Sequence, residues 1–346
     1  MVSNSLQDRH RDLPATWQQE LAEAITDPQE LLAAVGLSPG QFAGTDLAAL
    51  EAAAATFALR VPRPFVARMR RGDPSDPLLR QVLASPAELR EVPGFTPDPL
   101  DEAAARRAPG LLQKYSGRAL LVATGACAVH CRYCFRREYD YAGDSRDGAR
   151  WDAAFETLAA TPDIEELILS GGDPLSLSNA RLAELFRRAA ALPGLRRIRI
   201  HSRNPIVLPS RVDGGLVDLL SGTGLQVVVV VHSNHAAELD DAVRSALRRL
   251  RQAGVTLLNQ SVLLAGVNDD ADTLVALSRA LFEAGVLPYY LHATDPIRGT
   301  AHFFVEEGKA RALARAIAAR LPGYLVPRLV REEAGEPGKT LLPLRD

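Results

Sequence analysis

Beyond about residue 118, short apolar runs alternate with longer segments in which apolar residues recur at helical spacing. The apolar runs predict β-strands at residues 119–124, 166–170, 197–201, 226–232, 256–264 and 287–292. The segments between them predict α-helices at residues 149–160, 179–191, 212–220, 236–253 and 271–284. Alternation of strands and helices is typical of βαβ units, so the pattern predicts an α/β fold around a parallel sheet.

Six predicted strands fall short of the eight that close a (β/α)8 barrel. We therefore expect a partial (β/α)6 TIM-like barrel, with a doubly wound sheet as the alternative. Residues that can bind a ligand or take part in a reaction favour the barrel, because one or more of them lies at or near the carboxyl end of each predicted strand. In chain order these are Cys127, then Gly171, Gly172 and Asp173, then Ser202 and Arg203, then His232, Gln260 and Asp295. In a barrel these strand ends meet at one mouth, so six loops would build one site.

The first part of the chain has a different pattern. Apolar residues recur at helical spacing between Trp17 and Val35, and prolines interrupt the segments that follow. We expect a helical and irregular N-terminal region at residues 1–105. The partial barrel would span residues 106–320, and residues 321–346 would form a short C-terminal extension.

Composition limits the class of protein. Hydrophobic residues make up 47% of the 346 residues and charged residues 24%, which suits a large buried core. The formal net charge is -2 and no long basic run occurs, so bulk charge indicates neither a nucleic-acid nor a membrane partner. No apolar stretch is long enough to span a bilayer and no secretory signal is recognisable, so we expect a cytoplasmic protein.

All three cysteines lie in one short segment, with the spacing Cys127-x3-Cys131-x2-Cys134. An odd, clustered set is not a disulfide framework, and thiolates suit zinc or iron–sulfur clusters. A structural zinc site needs a fourth ligand, for which His130 is the candidate, although its place beside Cys131 makes a tetrahedron awkward. A [4Fe–4S] cluster on three thiolates leaves one iron open to another ligand. Free buried cysteines are the remaining alternative.

The cysteine spacing resembles the motif of the radical S-adenosylmethionine superfamily, in which an aromatic residue such as Tyr133 precedes the last cysteine. The resemblance implies that S-adenosylmethionine binds the open iron through its amino and carboxylate groups. Residues 170–173 resemble the glycine-rich segment whose backbone contacts the methionine part of that cofactor, and an ordinary turn is the alternative. Further contacts to S-adenosylmethionine are expected from Ser202, Arg203, His232 and Gln260, although a buried core histidine is an equal interpretation of His232.

A second resemblance covers nearly the whole chain. Segments at residues 114–118, 134–137, 170–173, 259–269, 288–295 and 338–339 resemble lysine 2,3-aminomutases. Residues 59–63 and 76–83 resemble the short bacterial subgroup that supplies β-lysine for modifying translation elongation factor P. The resemblance implies an isomerase that moves the amino group of L-lysine from C2 to C3. Its cofactors would be a [4Fe–4S] cluster, S-adenosylmethionine and pyridoxal 5′-phosphate, and its partner an external electron donor of flavodoxin or ferredoxin type.

The same resemblance gives roles to residues that bind pyridoxal phosphate. Lys339 corresponds to the Schiff-base lysine, and it is one of three lysines in the sequence. Lys114, Tyr115 and Arg118 resemble the cradle of this cofactor. The alternatives are an ordinary tail lysine at position 339 and a surface basic turn at residues 114–118.

Three further residues correspond to contacts with the substrate lysine. Arg136 resembles the arginine that holds the substrate carboxylate, a role that suits a planar guanidinium. Asp295 resembles one of two acidic residues that bind the distant ammonium. The other is aspartate in the long-chain aminomutases, whereas this chain has Glu332, whose side chain is one methylene longer. A solvated arginine, a turn aspartate and a solvated glutamate are the corresponding alternatives.

Two other functions stay open on the sequence alone. The first is an aminomutase for another amino acid, and here a cationic substrate fits better than an acidic one because Asp295 and Glu332 would repel a further carboxylate. The second is a non-enzymatic zinc module built on the three cysteines.

Overall fold

The computed structural model describes residues 16–42, 45–141 and 149–344. Within them, one 10-stranded sheet has the same strand order in space as along the chain. Its strands are Arg106–Ala108 (β1), Leu111–Tyr115 (β2), Arg118–Thr124 (β3), Glu166–Gly171 (β4), Arg197–Ser202 (β5), Gln226–Val231 (β6), Thr256–Val262 (β7), Leu287–His292 (β8), Arg328–Arg331 (β9) and Thr340–Leu341 (β10).

Strands β3 to β9 are parallel to one another, and antiparallel pairs lie at both edges, β1–β2–β3 at one and β9–β10 at the other. The six predicted strands are β3 to β8. Strand β9 is a seventh parallel strand that the sequence pattern did not predict. The order never reverses, which contradicts a doubly wound sheet. The two edge strands of the described sheet do not pair with each other, so the prediction of a partial TIM-like barrel is confirmed.

Helices connect the parallel strands and cover one face of the sheet. The α-helices are Trp17–Ala22, Pro28–Ala34, Leu47–Thr56, Arg63–Val66, Pro77–Arg80, Ala149–Ala159, Asn179–Ala190, Asn204–Val207, Gly214–Ser221, Asp241–Gln252, Ala271–Glu283 and Glu307–Ala318. The predicted helix at residues 236–253 divides in two, because Asp240 caps the backbone N–H of Val243 and starts a new helix after a 3-10 turn. The predicted strand at residues 256–264 ends at Val262.

Alternation along the strands separates an apolar face from a polar face. In β5, Ile198 and Ile200 are fully buried against the helices, whereas the alternating residues Arg199 and His201 line the interior of the barrel. The layer between sheet and helices is therefore the main hydrophobic core. The opposite face is left to residues that can bind and react.

The region before β1 packs over the cysteine loop. A second apolar cluster joins residues of this region, such as Phe65, to Ala128 and Val129 of the loop. The guanidinium of Arg132 is fully buried and donates from Nε to Glu88 at 2.9 Å.

The division of the chain into three regions, with boundaries near residues 105 and 320, stays a prediction. None of the described helices is long and apolar enough to cross a membrane.

Candidate active site

One cavity of about 420 Å³ lies within the barrel and is lined by strand ends and loops from both halves of the sheet. It gathers nearly all of the residues that the sequence proposed for a site. These are Lys114, Tyr115, Arg118, Cys127, Cys131, Cys134, Arg136, Gly171, Gly172, Asp173, Arg203, His232, Gln260, Asp295, Glu332 and Lys339. Ser202 is the exception, because its side chain is buried beside Asp173 and does not line the cavity.

The three cysteines form part of the cavity wall, on the loop that follows β3. Burial raises the pKa of the Cys134 thiol to about 11, so a bound cation is needed to hold it as a thiolate. The hydroxyl of Tyr133 accepts a hydrogen bond of 2.7 Å from the Asn234 amide, which ties the loop to the end of β6. Three free thiols that share one cavity wall and lack any disulfide partner fit the donor set of an iron–sulfur cluster.

The His130 side chain contacts the N-terminal region. Its Nδ1 lies 2.8 Å from the carbonyl oxygen of Ala58, and its ring packs on Phe57 with centroids 5.4 Å apart. In the part of the chain that the structure describes, no group of three or more His, Cys, Asp or Glu side chains could hold a single metal ion.

The two glycines at the end of β4 are required by close backbone contact with the cysteine loop. Gly171 has φ +108, and a Cβ there would lie 2.8 Å from the Thr124 carbonyl oxygen. A Cβ on Gly172 would lie 2.5 Å from the Ala126 carbonyl oxygen. The backbone N–H of Gly172 instead donates to Thr124 at 2.7 Å. The turn therefore supports the approach to Cys127, and its proposed contact with S-adenosylmethionine stays a prediction.

Asp173 organises the turn after β5 through both carboxylate oxygens. It accepts hydrogen bonds from the Ser202 hydroxyl and the backbone N–H of Arg203, both at 2.7 Å. The Arg203 guanidinium donates to Gln81 at 2.8 Å, but its Nε and Nη1 are buried without a partner among the described residues. Buried donors of this kind suit an anionic ligand such as a carboxylate.

Histidines occupy the interior face of the barrel. The Nε2 atoms of His201 and His232 are buried without described partners, and the two rings meet edge to face with centroids 5.8 Å apart. Burial and the nearby Arg203 charge lower the pKa of His232 to about 4, so its imidazole is neutral. His201 and His292 were not predicted from the sequence. A signal was present, since His201 follows the alternation of polar and apolar residues in β5 and His292 ends the mostly apolar strand β8.

Five side chains of alternating charge run through the cavity, and we call them the charge chain: Arg136, Glu102, Lys114, Glu332 and Lys339. Arg136 donates to Glu102 from Nε at 2.8 Å and from Nη2 at 2.7 Å. Lys114 Nζ lies 3.2 Å from Glu102 and 2.8 Å from Glu332, and Lys339 Nζ lies 2.5 Å from Glu332. Burial opposes the charge on Glu332, but the two lysines hold its pKa below the usual range.

Asp295 lies beside the charge chain, and its pKa is shifted in the opposite direction from that of Glu332. Burial and the negative charge of Glu332 raise the pKa of Asp295 to about 7. Tyr115 packs its ring against the Arg118 guanidinium, 4.5 Å from ring centroid to carbon, and its hydroxyl is buried without a described partner. Glu102 was missed by the sequence analysis, because it lies in an irregular segment with no pattern to mark it.

Comparison with known proteins agrees with this geometry. Residues 121–277 match the family model of the radical SAM superfamily. The chain is 50% identical over 329 residues to L-lysine 2,3-aminomutase of Escherichia coli (strain K12), which covers 95% of each chain. The chain belongs to the lysine 2,3-aminomutase family. It is 45% identical to the Haemophilus influenzae member, over 94% of this chain and 95% of the relative.

The comparisons also include a more distant family member and a solved structure. The L-lysine 2,3-aminomutase of Clostridium subterminale is 35% identical over 78% of this chain and 64% of its own length. A radical SAM methyltransferase from Sphaerobacter thermophilus superposes with a TM-score of 0.45 at 16% identity, over 64% of this chain and 68% of the other. As a lysine 2,3-aminomutase family member, the protein is a radical S-adenosylmethionine enzyme of the isomerase class, with a [4Fe–4S] cluster and S-adenosylmethionine as cofactors. The alternative of a non-enzymatic zinc module is not supported.

We expect Cys131→Ala to lose its iron, because two thiolates cannot hold a [4Fe–4S] cluster. The measurement is iron and sulfide content after anaerobic purification. His130→Ala is the matched control, because the His130 imidazole contacts the Ala58 carbonyl. This variant should keep its iron. Iron retained in the first variant, or lost in the second, would contradict the assignment of three cysteine ligands.

Proposed function

We propose that the protein converts L-lysine to β-lysine by moving the amino group from C2 to C3, with pyridoxal 5′-phosphate as a second organic cofactor. The observation that carries this proposal is the convergence of Lys339, Glu332 and Asp295 with the three cysteines on one cavity. An amine, a pair of carboxylates and an iron–sulfur ligand set are the parts that this reaction needs in one place. Residues from both ends of the barrel sequence supply them.

The cavity fits pyridoxal phosphate in its donor set. Lys339 offers a partly buried amine on the cavity wall, and Lys114 and Arg118 offer positive charge to a phosphate. The unpartnered hydroxyl of Tyr115 is a further donor for a phosphate oxygen. When bound, this cofactor holds the migrating nitrogen between two carbons, and the cluster with S-adenosylmethionine supplies the radical. The protein's own part is to bind, orient and exclude water.

The charges of the cavity fit a substrate with an anionic end and a cationic end. Arg136, Asp295 and Glu332 line the same cavity, which supports roles for Arg136 in binding the α-carboxylate and for the two acidic residues in binding the distant ammonium. Two adjacent carboxylates would repel the side chain of glutamate, so an acidic substrate is disfavoured. Because Glu332 is longer than aspartate, another cationic amino acid such as arginine is the second candidate.

Glu332 is shared by two lysines in this structure, so its carboxylate is already satisfied before the substrate arrives. The substrate ammonium must therefore compete with Lys339 for this carboxylate. That competition ties the position of the cofactor-binding lysine to substrate binding. Asp295 has no such lysine partner at hydrogen-bond distance among the described ion pairs, so it is the more available acceptor.

We further propose that β-lysine made here is used to modify translation elongation factor P in the cytoplasm, with electrons from a flavodoxin- or ferredoxin-type donor. Support comes from the resemblance of residues 59–63 and 76–83 to the short bacterial subgroup. Cells that lack this protein should then carry elongation factor P without the β-lysine mass, and added β-lysine should restore it.

The decisive test is an anaerobic assay of the reconstituted protein with isotopically labelled L-lysine, S-adenosylmethionine and a chemical reductant. We expect labelled β-lysine, identified by chromatography and mass spectrometry, with arginine and glutamate converted far more slowly. Preferential conversion of arginine would establish the second candidate. Protein that holds the cluster and pyridoxal phosphate but converts none of these substrates would refute the proposed reaction.

We expect Lys339→Ala to lose the visible absorption of lysine-bound pyridoxal phosphate and at least 1000-fold of its activity, roughly the scale of loss for a removed covalent group. Iron content should stay at the wild-type value, because Lys339 is not a cluster ligand. Lys309→Ala is the matched control, since Lys309 pairs with Asp269 on an exposed surface. Unchanged cofactor absorption in Lys339→Ala would rule out this residue as the attachment point.

The raised pKa of Asp295 predicts a pH dependence for lysine capture. Burial and Glu332, with a smaller effect of Glu102, raise this pKa to about 7, against the opposing charges of Lys339 and Lys114. Below pH 7 the free enzyme therefore holds Asp295 neutral, and kcat/KM for lysine should fall as the pH drops through about 7. Asp295→Asn should have a low kcat/KM without that transition. A wild-type profile that is flat between pH 6 and 8 would contradict this protonation.

A further inference from the structure

Glu102 is a buried carboxylate that both resemblance and pattern left without a role. It lies in the irregular segment before β1 and is 4% exposed. One of its oxygens accepts from Arg136 Nη2 at 2.7 Å and lies 3.2 Å from Lys114 Nζ, and the other accepts from Arg136 Nε at 2.8 Å. Glu102 therefore joins the residue proposed for the substrate carboxylate to a residue proposed for the cofactor phosphate.

The way in which Glu102 contacts Arg136 determines which N–H groups of the guanidinium remain for another ligand. A guanidinium has five donors, and the fork to Glu102 takes one from Nε and one from Nη2. Nη1 donates a third to the Ser170 hydroxyl at 2.9 Å. The two remaining donors belong to Nη1 and Nη2, the terminal nitrogens, so another ligand must bind there and not at Nε.

We propose that Glu102 is a positioning residue that fixes the Arg136 guanidinium with its end edge available to the substrate carboxylate, and that keeps Lys114 directed at the cavity. This inference rests on the proposed lysine reaction. Because the side-chain carboxylate is held on two sides, rotation of the guanidinium would break two charge-assisted hydrogen bonds at once. Arg136 is thus oriented before the substrate binds.

The local charge balance also permits an anion to bind. Glu102 stands between two cations, Arg136 and Lys114, so this group of three keeps one positive charge. A carboxylate can therefore enter even though Glu102 is itself negative. The opposite possibility is that Glu102 competes with the substrate for Arg136, in which case removing its charge would strengthen binding.

The test is Glu102→Gln in the holoenzyme with labelled L-lysine. The amide keeps the shape, but its NH2 group would face a donor of Arg136 or Lys114, so the fork cannot form. We expect the KM for lysine to rise by about tenfold or more, with kcat changed by less than about threefold, because a misoriented Arg136 weakens a contact that serves binding equally in the ground state and the transition state. Glu102→Asp keeps the charge and shortens the reach, and it should raise KM by an intermediate factor.

Two further measurements separate positioning from loss of stability. Glu88→Gln neutralises another buried carboxylate that pairs with two arginines, and Glu88 does not line the cavity. It should lower Tm about as much as Glu102→Gln while leaving the lysine KM within about twofold. In a background of Arg136→Gln, adding Glu102→Gln should raise KM no further, because its effect acts through Arg136.

Each outcome decides something. A wild-type KM in Glu102→Gln and Glu102→Asp, or a lower one, would overturn the positioning role while leaving the lysine reaction intact. Equal KM increases in Glu102→Gln and Glu88→Gln would show a general effect of stability and also overturn it. If Glu102→Gln does not fold, the KM of Glu102→Asp decides alone. Wild-type protein that makes no β-lysine would refute the proposed reaction and this inference together.

Discussion

Burial of alternating charges is the constraint on which the cavity depends. Each ion of the charge chain from Arg136 to Lys339 is largely removed from water, and it is tolerated because a neighbour of opposite sign lies within hydrogen-bond distance. Removal of Glu102 would leave Arg136 without its carboxylate partner in the chain, and removal of Glu332 would do the same to Lys339. The chain draws on an irregular segment, a hairpin strand, the cysteine loop and the C-terminal hairpin. These distant parts of the sequence are therefore held in register by electrostatics as well as by the sheet.

The barrel accommodates the charge chain because it keeps the apolar and polar faces of the sheet apart. Strand side chains that point to the helices form the core, so the interior face can carry Arg199, His201 and other polar groups without weakening it. The cysteine loop receives separate support. The N-terminal region covers it, Gly171 and Gly172 approach it closely, and Asn234 anchors Tyr133. The two ends of the cavity are consequently stabilised by different contacts.

Periodicity along the sequence was enough to predict β3 to β8, because each strand is a run of apolar residues followed by a helix with its own spacing. It could not predict β9, since Arg328–Arg331 is a four-residue strand with arginine at both ends. The resemblance indicated Arg136 and Glu332, and the structure adds what each one contacts. Glu102 was beyond sequence reasoning, because its partners are 12 or more positions away and no local pattern marks it. The contact of Ser202 with a cofactor stays a prediction, and the structure adds that its hydroxyl donates to Asp173.

The sequential strand order also has a consequence for synthesis. The ribosome releases the cysteine loop about 205 residues before Lys339, which corresponds to roughly 10 to 40 s of translation. During that interval the strands up to β8 can already pair with their neighbours, whereas Glu332 and Lys339 wait for β9 and β10. The nascent chain thus presents its three cysteines while Glu332 and Lys339 have still to be synthesised. The last two strands, with these two residues between them, then complete the lining of the cavity.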